Sequence, residues 1–417
     1  MKSAGFHKQA WGSVIPSSPK TADVHRRRPE QGGAPVKMAE RRSRLTLLAG
    51  TWNVGAEAPP DAETLRDWLE VSPTRCADVY AVGLQEAVDI NSPLAYIDVV
   101  TPVLSIMRGS EVDGLDDAVP VQMSRWLAAI ASVLPTHTLV ARKALIGMVL
   151  FVFVAEQHVR FCSARVVALG TGPLGAGNKG AVGCSLQLYG STLCILNSHL
   201  AAGKKEPTTR NKEVAQLLGS VLFPDPFAPQ RPAGLPAPPR AIGAHEFVVW
   251  LGDLNYRIDM PDSAVRAQLE RPAGSLAVLA AHDELLLEQA AGRVFSGFLE
   301  GALDFRPTYK YDKRSDEYDT SSKRRAPAWC DRILWRQSEH MRGLTYDRHE
   351  TTLSDHRPVS AELEMSVVSS SNLDGGLLPH VVSMARPTGL DMCGCISACL
   401  LAVSNMGGLH GYREVPS

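Results

Sequence analysis

Residues 245–258 read HEFVVWLGDLNYRI. The first half, 245–251, carries the β-branched, aromatic and apolar run FVVWL, so it reads as a buried strand. It stops at a glycine and delivers Asp253 and Asn255. A strand body is buried while its end stands at the mouth of a sheet, so polar groups placed there face whatever the sheet binds. On either side of this segment the same pattern recurs. TWNVG (51–55) brings Asn53, GLQE (83–86) brings Glu86, and NSHLAAG (197–203) brings His199. PAWCDRILW (327–335) brings Asp331, and SDHRP (354–358) brings Asp355 and His356.

Between these segments strands and helices alternate. Strands are expected at 45–54, 78–86, 136–142, 146–155, 159–168, 180–188, 191–198, 245–251, 330–335, 342–347 and 357–366. Helices are expected at 61–70, 94–107, 121–134, 208–220 and within 262–290. The alternation runs without a composition break and favours one large α/β domain over residues 45–366. Within it, 221–244 is Pro-rich at its centre and reads as a surface loop insertion. The run IGMVLFVFV (146–154) reads as a buried central strand.

The flanks differ from this domain. Residues 1–44 carry ten Lys and Arg against three Asp and Glu, about +7, without hydrophobic periodicity. They read as a disordered basic arm, with contact to an anionic membrane or an organelle-targeting role as the alternatives. Residues 367–417 read as a flexible tail in which Cys393, Cys395 and Cys399 offer sites for acylation.

Composition sets further bounds. The whole chain of 417 residues has a formal net charge of -1, which argues against a broad nucleic-acid-binding face. Its eight cysteines include no CxxC pair, so reduced core cysteines are expected, Cys76, Cys162, Cys184, Cys194 and Cys330 among them. No apolar stretch reaches the length of a membrane span. These features lead to the expectation of a cytoplasmic protein, free or peripherally attached to a membrane.

Taken singly, each polar strand end has a plain explanation. Asn53 suits a strand-end turn, Asp253-x-Asn255 suits an Asx-turn, and Asp355-His356 suits a surface pair. Six such ends in one chain point to a shared site. Carboxylates and amide oxygens suit a hard cation such as Mg2+, and no Cys/His cluster competes for zinc. Histidines beside carboxylates can stabilise charge on a phosphoryl group, and a further Asp can orient water. Together they read as a site for metal-assisted hydrolysis of a phosphate ester. Lys310, Lys323 and Arg325, with Tyr309, lie close in sequence to Asp331. Such a cluster is of no use to a metal but suits a second phosphate. Asn178 and Lys179 follow the Gly-rich turn TGPLGAG (171–177), which can bring backbone close to an anion.

The set TWNV, GLQE, SHL, GDLN, DR and SDH resembles the endonuclease/exonuclease/phosphatase superfamily. WLGDLNYRI, RPTYKYD, RAPAWCDRILW and LSDHRPVSAEL are similar in detail to the inositol polyphosphate 5-phosphatases. The resemblance spans roughly residues 45–365. It implies a DNase-I-like four-layer α/β/β/α sandwich, two mainly antiparallel sheets flanked by helices. It implies that Glu86, supported by Asn53, holds Mg2+. Asp253 would orient the attacking water, Asn255 and His199 would contact the phosphoryl group, Asp331 would pair with His356, and Asp355 would support the site beside it. Tyr309, Lys310, Lys323 and Arg325 would hold a 4-phosphate, and Asn178 and Lys179 would contact the headgroup. Arg332, beside Asp331 in the same motif, is assigned to substrate with them. The expected substrate is an inositol polyphosphate or a phosphoinositide such as PI(4,5)P2 or PI(3,4,5)P3. No nucleic-acid partner and no particular oligomeric state is implied. The alternatives are a nuclease of the same superfamily and an inactive phosphoinositide-binding scaffold.

Overall fold

Two six-stranded sheets lie face to face, each with helices on its outer surface. The computed structural model describes residues 41–89, 120–172, 179–203, 206–223, 239–271 and 275–369. The expected helix at 94–107, Asn178 and the C-terminal cysteines lie outside the described residues. In chain order the strands are β1 (Arg42–Asn53), β2 (Val79–Gln85), β3 (His137–Leu145), β4 (Met148–Ala155) and β5 (Cys162–Gly170). They continue with β6 (Gly180–Leu188), β7 (Ser191–His199), β8 (Leu222–Phe223), β9 (Arg240–Ala241) and β10 (Phe247–Asp253). The last are β11 (Phe298–Glu300), β12 (Asp331–Arg336), β13 (Met341–Arg348) and β14 (Val359–Val368). Helices α1 (Ala62–Trp68), α2 (Val121–Val133), α3 (Glu156–Val159), α4 (Pro207–Ser220), α5 (Asp262–Leu269), α6 (Ser275–Ala280) and α7 (Glu284–Ala290) connect them.

The first sheet has the order β13-β14-β1-β2-β4-β3 and the second β11-β12-β10-β7-β6-β5. Each contains one parallel pair, β1/β2 and β7/β10, and is otherwise antiparallel. Strand alternation explains the layering. On β4, Met148, Leu150, Val152 and Val154 face the second sheet, while Val149, Phe151 and Phe153 pack under the helices. The run at 146–154 is therefore apolar throughout because both of its faces are covered, as its sequence predicts. Trp52 on β1 packs edge-on against Trp68 of α1 and Trp126 of α2, with centroids 5.4 and 5.5 Å away. Across the molecule, Val214 and Leu217 of α4 and Leu285 of α7 cover Trp250 and Leu196 of the second sheet.

Helix starts follow their capping chemistry. Asp61 accepts the Thr64 N–H at 2.8 Å ahead of α1, and Asp283 accepts that of Leu286 at 3.0 Å ahead of α7. Two details depart from expectation, and a third, at 262–290, agrees with it. The insertion at 221–244 is closed at its base by the β8/β9 ladder and a buried Phe223. Residues 262–290 divide into three helices. Of the cysteines described, Cys76 is exposed, while Cys162, Cys184, Cys194 and Cys330 are buried and free. Among the described residues no helix is long and apolar enough to cross a membrane.

Candidate active site

The two parallel pairs explain why the polar ends converge. Parallel strands finish at the same edge, and the registers place Asn53 beside Gln85 and Asp253 beside His199. Antiparallel neighbours then begin where these strands end: Asp331 opens β12 opposite Asp253, and residues 354–356 lead into β14, whose Val359 faces Thr51. One rim thus collects six sequence segments. Glu86 and Asn255 follow their strands with φ of +50° and +58°. Asn tolerates this left-handed turn better than Glu, and such strain in a non-glycine residue is a feature of functional sites.

Asp253 is the hub. Its Oδ2 accepts from Asn53 Nδ2 at 3.0 Å and lies 3.3 Å from His199 Nε2, while Oδ1 accepts from the Asn255 N–H at 3.1 Å. Burial opposes its ionisation, but the neighbouring His199, His356 and Lys179 hold its carboxyl well below the usual carboxylate range. His199 Nε2 also contacts Lys179 Nζ and lies 3.9 Å from Glu86 Oε1. Burial lowers the pKa of Lys179.

Asp331 and His356 form a second buried group. His356 Nδ1 lies 2.8 Å from Asp331 Oδ2, which also accepts from Thr308 Oγ1 at 2.6 Å. Burial disfavours the charged ring, yet Asp331, Asp253 and Asp355 push the His356 pKa up to about 9. Burial also pushes Asp331 up, against the pull of His356. The ring therefore holds the proton of this pair at neutral pH. Tyr309 tilts over it at 4.6 Å, and burial pushes the phenol up to about 12. Asp355 contacts Lys310 Nζ. Burial would raise the Asp355 carboxyl, but His356 and Lys310 lower it.

The arrangement fits a hard cation. Asn53 and Glu86 offer oxygen donors, and the Glu86 carboxylate is half-exposed at the rim, with 51% of its side chain accessible. Asp253, Asp331 and His356 bring ligand atoms within 4.8 Å of one another, and Asp331 Oδ1 is buried with no hydrogen-bond partner. Because the His356 ring is charged and tied to Asp331, this second group reads as hydrogen-bonded acid–base machinery.

The loop 309–325 is shaped by Asp319, whose carboxylate accepts the N–H groups of Ser321 at 3.0 Å and Arg325 at 2.8 Å. Its N–H donates to Lys310 O at 2.9 Å, tying the two ends of the loop. Lys323 is exposed and Arg325 half-buried on this loop. Two site residues were missed in the sequence although both lie inside quoted motifs. Thr308 donates to Asp331, and Arg257 reaches Asn255 Oδ1 and sits 4.5 Å over the Tyr309 ring.

Arg332 is a correction. Its guanidinium is fully buried, bidentate to Glu300 at 2.6 Å on one side and to Asp283 at 2.9 and 3.1 Å on the other. It has no donor face left for a substrate, so it braces the strand that carries Asp331. Arg332→Met is expected to cost about 3–5 kcal/mol of unfolding free energy by stranding two buried carboxylates. Chemical denaturation checks this, and a loss below about 1 kcal/mol, the size of a surface pair, would remove the bracing role.

Comparison with known proteins agrees with this geometry. The family described as Endonuclease/Exonuclease/phosphatase family 2 matches residues 50–362. The chain is 37% identical over 328 residues to the Type II inositol 1,4,5-trisphosphate 5-phosphatase of Mus musculus, covering 77% of this chain but only 30% of that protein. It is 34% identical over 347 residues to the Type I inositol polyphosphate 5-phosphatase 8 of Arabidopsis thaliana, covering 76% of this chain and 70% of that one. A synaptojanin inositol polyphosphate 5-phosphatase domain, solved with inositol (1,4)-bisphosphate and calcium ion, superposes with a TM-score of 0.65 at 28% identity, covering 79% and 87% of the two chains. A Cimex nitrophorin shares the fold at a TM-score of 0.57 and 19% identity, covering 78% of this chain and 99% of its own, a likeness of fold alone. Family match, relatives and rim geometry agree: the chain belongs to the inositol polyphosphate 5-phosphatases of the endonuclease/exonuclease/phosphatase family.

Proposed function

We infer that the protein is a Mg2+-dependent phosphoric monoester hydrolase that removes the 5-phosphate from inositol polyphosphates or phosphoinositide headgroups. The observation that carries this reading is the buried Asp253, held by Asn53 and His199 beside the Asp331–His356 pair. Glu86 and Asn53 would hold the cation, which supplies Lewis-acid neutralisation of phosphoryl charge when bound. Asp253, ionised and anchored through both oxygens, orients a water toward phosphorus. Its depressed pKa makes it an acceptor that aligns the water rather than a store for its proton. The protonated His356 and the neighbouring His199 stand where charge grows on the phosphoryl oxygens. The new bond joins the water oxygen to phosphorus and the bond to the inositol 5-oxygen breaks. One proton of the water finishes on that hydroxyl and the other on the released phosphate.

Substrate choice is assigned to Tyr309, Lys310, Lys323 and Arg325 for a 4-phosphate, and to Lys179 and Asn178 for the more distant headgroup. Lys310 is held by Asp355, poised at the rim. The cationic loop also suits an anionic bilayer surface, which supports peripheral membrane contact and a cytoplasmic setting, and small multiply charged substrates in preference to nucleic acid. The test uses purified protein with Mg2+ on soluble inositol 1,4,5-trisphosphate, on the same headgroup in vesicles, and on abasic DNA. Phosphate release from the inositol species supports the reading, and cleavage of DNA alone overturns it. Lys310→Ala is expected to lower kcat/KM on 4,5-bisphosphates by about 10–100-fold, as for a lost charge-assisted hydrogen bond, and much less on substrates lacking the 4-phosphate. Equal losses on both would remove the recognition role.

A further inference from the structure

The two halves of the active site stand on different sheets. Asn53 ends β1 and Glu86 follows β2 in the first sheet, and His199 and Asp253 end strands of the second. Two residues before His199, Asn197 leaves β7 on the same face and is fully buried. Its Nδ2 donates to Leu84 O at 3.1 Å and Val149 O at 2.9 Å, carbonyls of the paired strands β2 and β4 in the opposite sheet. Its Oδ1 accepts from Gln85 Nε2 at 2.6 Å, and the same Nε2 reaches Thr51 Oγ1 on β1 at 3.0 Å. Gly83 makes the room: a Cβ there would meet Leu251 Cδ1 at 2.2 Å and Asn197 Cγ at 2.7 Å.

Apolar contact between sheets is non-directional and permits small slides, whereas hydrogen bonds to fixed carbonyls do not. A buried amide pair costs desolvation that an apolar pair of the same shape avoids. The cost here is visible, because Gln85 Oε1 is buried without a partner, one residue from Glu86. A polar link retained at such cost, directly beneath both halves of the site, has a geometric task.

We propose that Asn197 and Gln85 are positioning residues that fix the spacing and register between the Asn53/Glu86 half and the His199/Asp253 half. The proposal rests on the functional reading above for what those halves do. Asn197→Leu, Gln85→Met and the double variant are compared in the full chain on soluble inositol 1,4,5-trisphosphate with Mg2+. A displacement of about 1 Å is expected to lower kcat by about 100-fold in each single variant, with KM changed less than about three-fold. The double variant is expected to lose no more than the worse single, since both break one link. A second readout is free of turnover: the NMR signals of the His199 ring move in both variants, while those of His137 on β3 stay. If Asn197→Leu fails to fold, Gln85→Met and Thr51→Val, which removes a single acceptor, stand in for it. Retained kcat, additive losses or an unmoved His199 ring would overturn the proposal. If the wild type releases no phosphate, the functional reading fails instead, and the His199 signals still decide the positioning role.

Discussion

Asp253→Ala is expected to lower kcat by about 10³–10⁴-fold with KM changed only a few-fold, because the side chain acts on the water and not on the bound headgroup. Asp253 is nearly inaccessible, yet two donors converge on it, Asn53 Nδ2 and the Asn255 N–H, with the His199 ring 3.3 Å away. Removing the carboxylate takes away the water's acceptor and also leaves the His199–Lys179 contact without its neighbouring anion. Alanine therefore carries a stability cost as well as a chemical one. Asp253→Asn separates the two, since its amide oxygen still accepts from Asn255 while the negative charge is gone. Both variants should lose turnover of inositol 1,4,5-trisphosphate, and the asparagine variant should keep the cooperative unfolding transition. An asparagine variant with a tenth or more of wild-type kcat would remove Asp253 from the centre of the mechanism.

The strand ends were legible because their signal is local. An apolar run followed by an Asn, Glu, His or Asp is written in consecutive residues, and the parallel pairs β1/β2 and β7/β10 need only the right topology to bring those ends to one rim. The buried strand at 146–154 was legible for the same reason. Arg332 was misread because the same guanidinium serves a substrate phosphate or a pair of buried carboxylates equally well. Its partners Asp283 and Glu300 lie 49 and 32 residues away, and only packing brings them together. Thr308 and Arg257 escaped although they sit inside the motifs, since a threonine or arginine beside a conspicuous acid gives no sign of which way it points. The Asn197–Gln85 link was illegible in principle. Its essential feature is that Gly83 lacks a side chain at the point where two sheets touch, and that depends on a contact between strands 114 residues apart, which no periodicity records.

The basic side of the pH profile offers a second large effect. In the wild type, His356 keeps its proton up to about pH 9 because Asp331, then Asp253 and Asp355, outweigh the penalty of burying a cation. Activity that needs the imidazolium should therefore persist through neutral pH and fall as the pH rises through about 9. In Asp331→Asn the leading anion is gone and burial becomes the stronger influence. The alkaline limb of kcat/KM is expected to move down by about 1–3 pH units, and the rate at pH 8 to fall by about 2- to 100-fold. Stability gives an independent reading with the same sign. A ring whose folded pKa lies above its unfolded value of 6.5 contributes stability that is complete below pH 6.5 and is lost as the pH climbs toward about 9. The wild type should therefore become easier to unfold with urea across that window, and the asparagine variant should lose this dependence. A variant whose limb stays near pH 9, or whose stability still falls across the same window, would show that a group other than the Asp331–His356 pair sets the proton balance of the site.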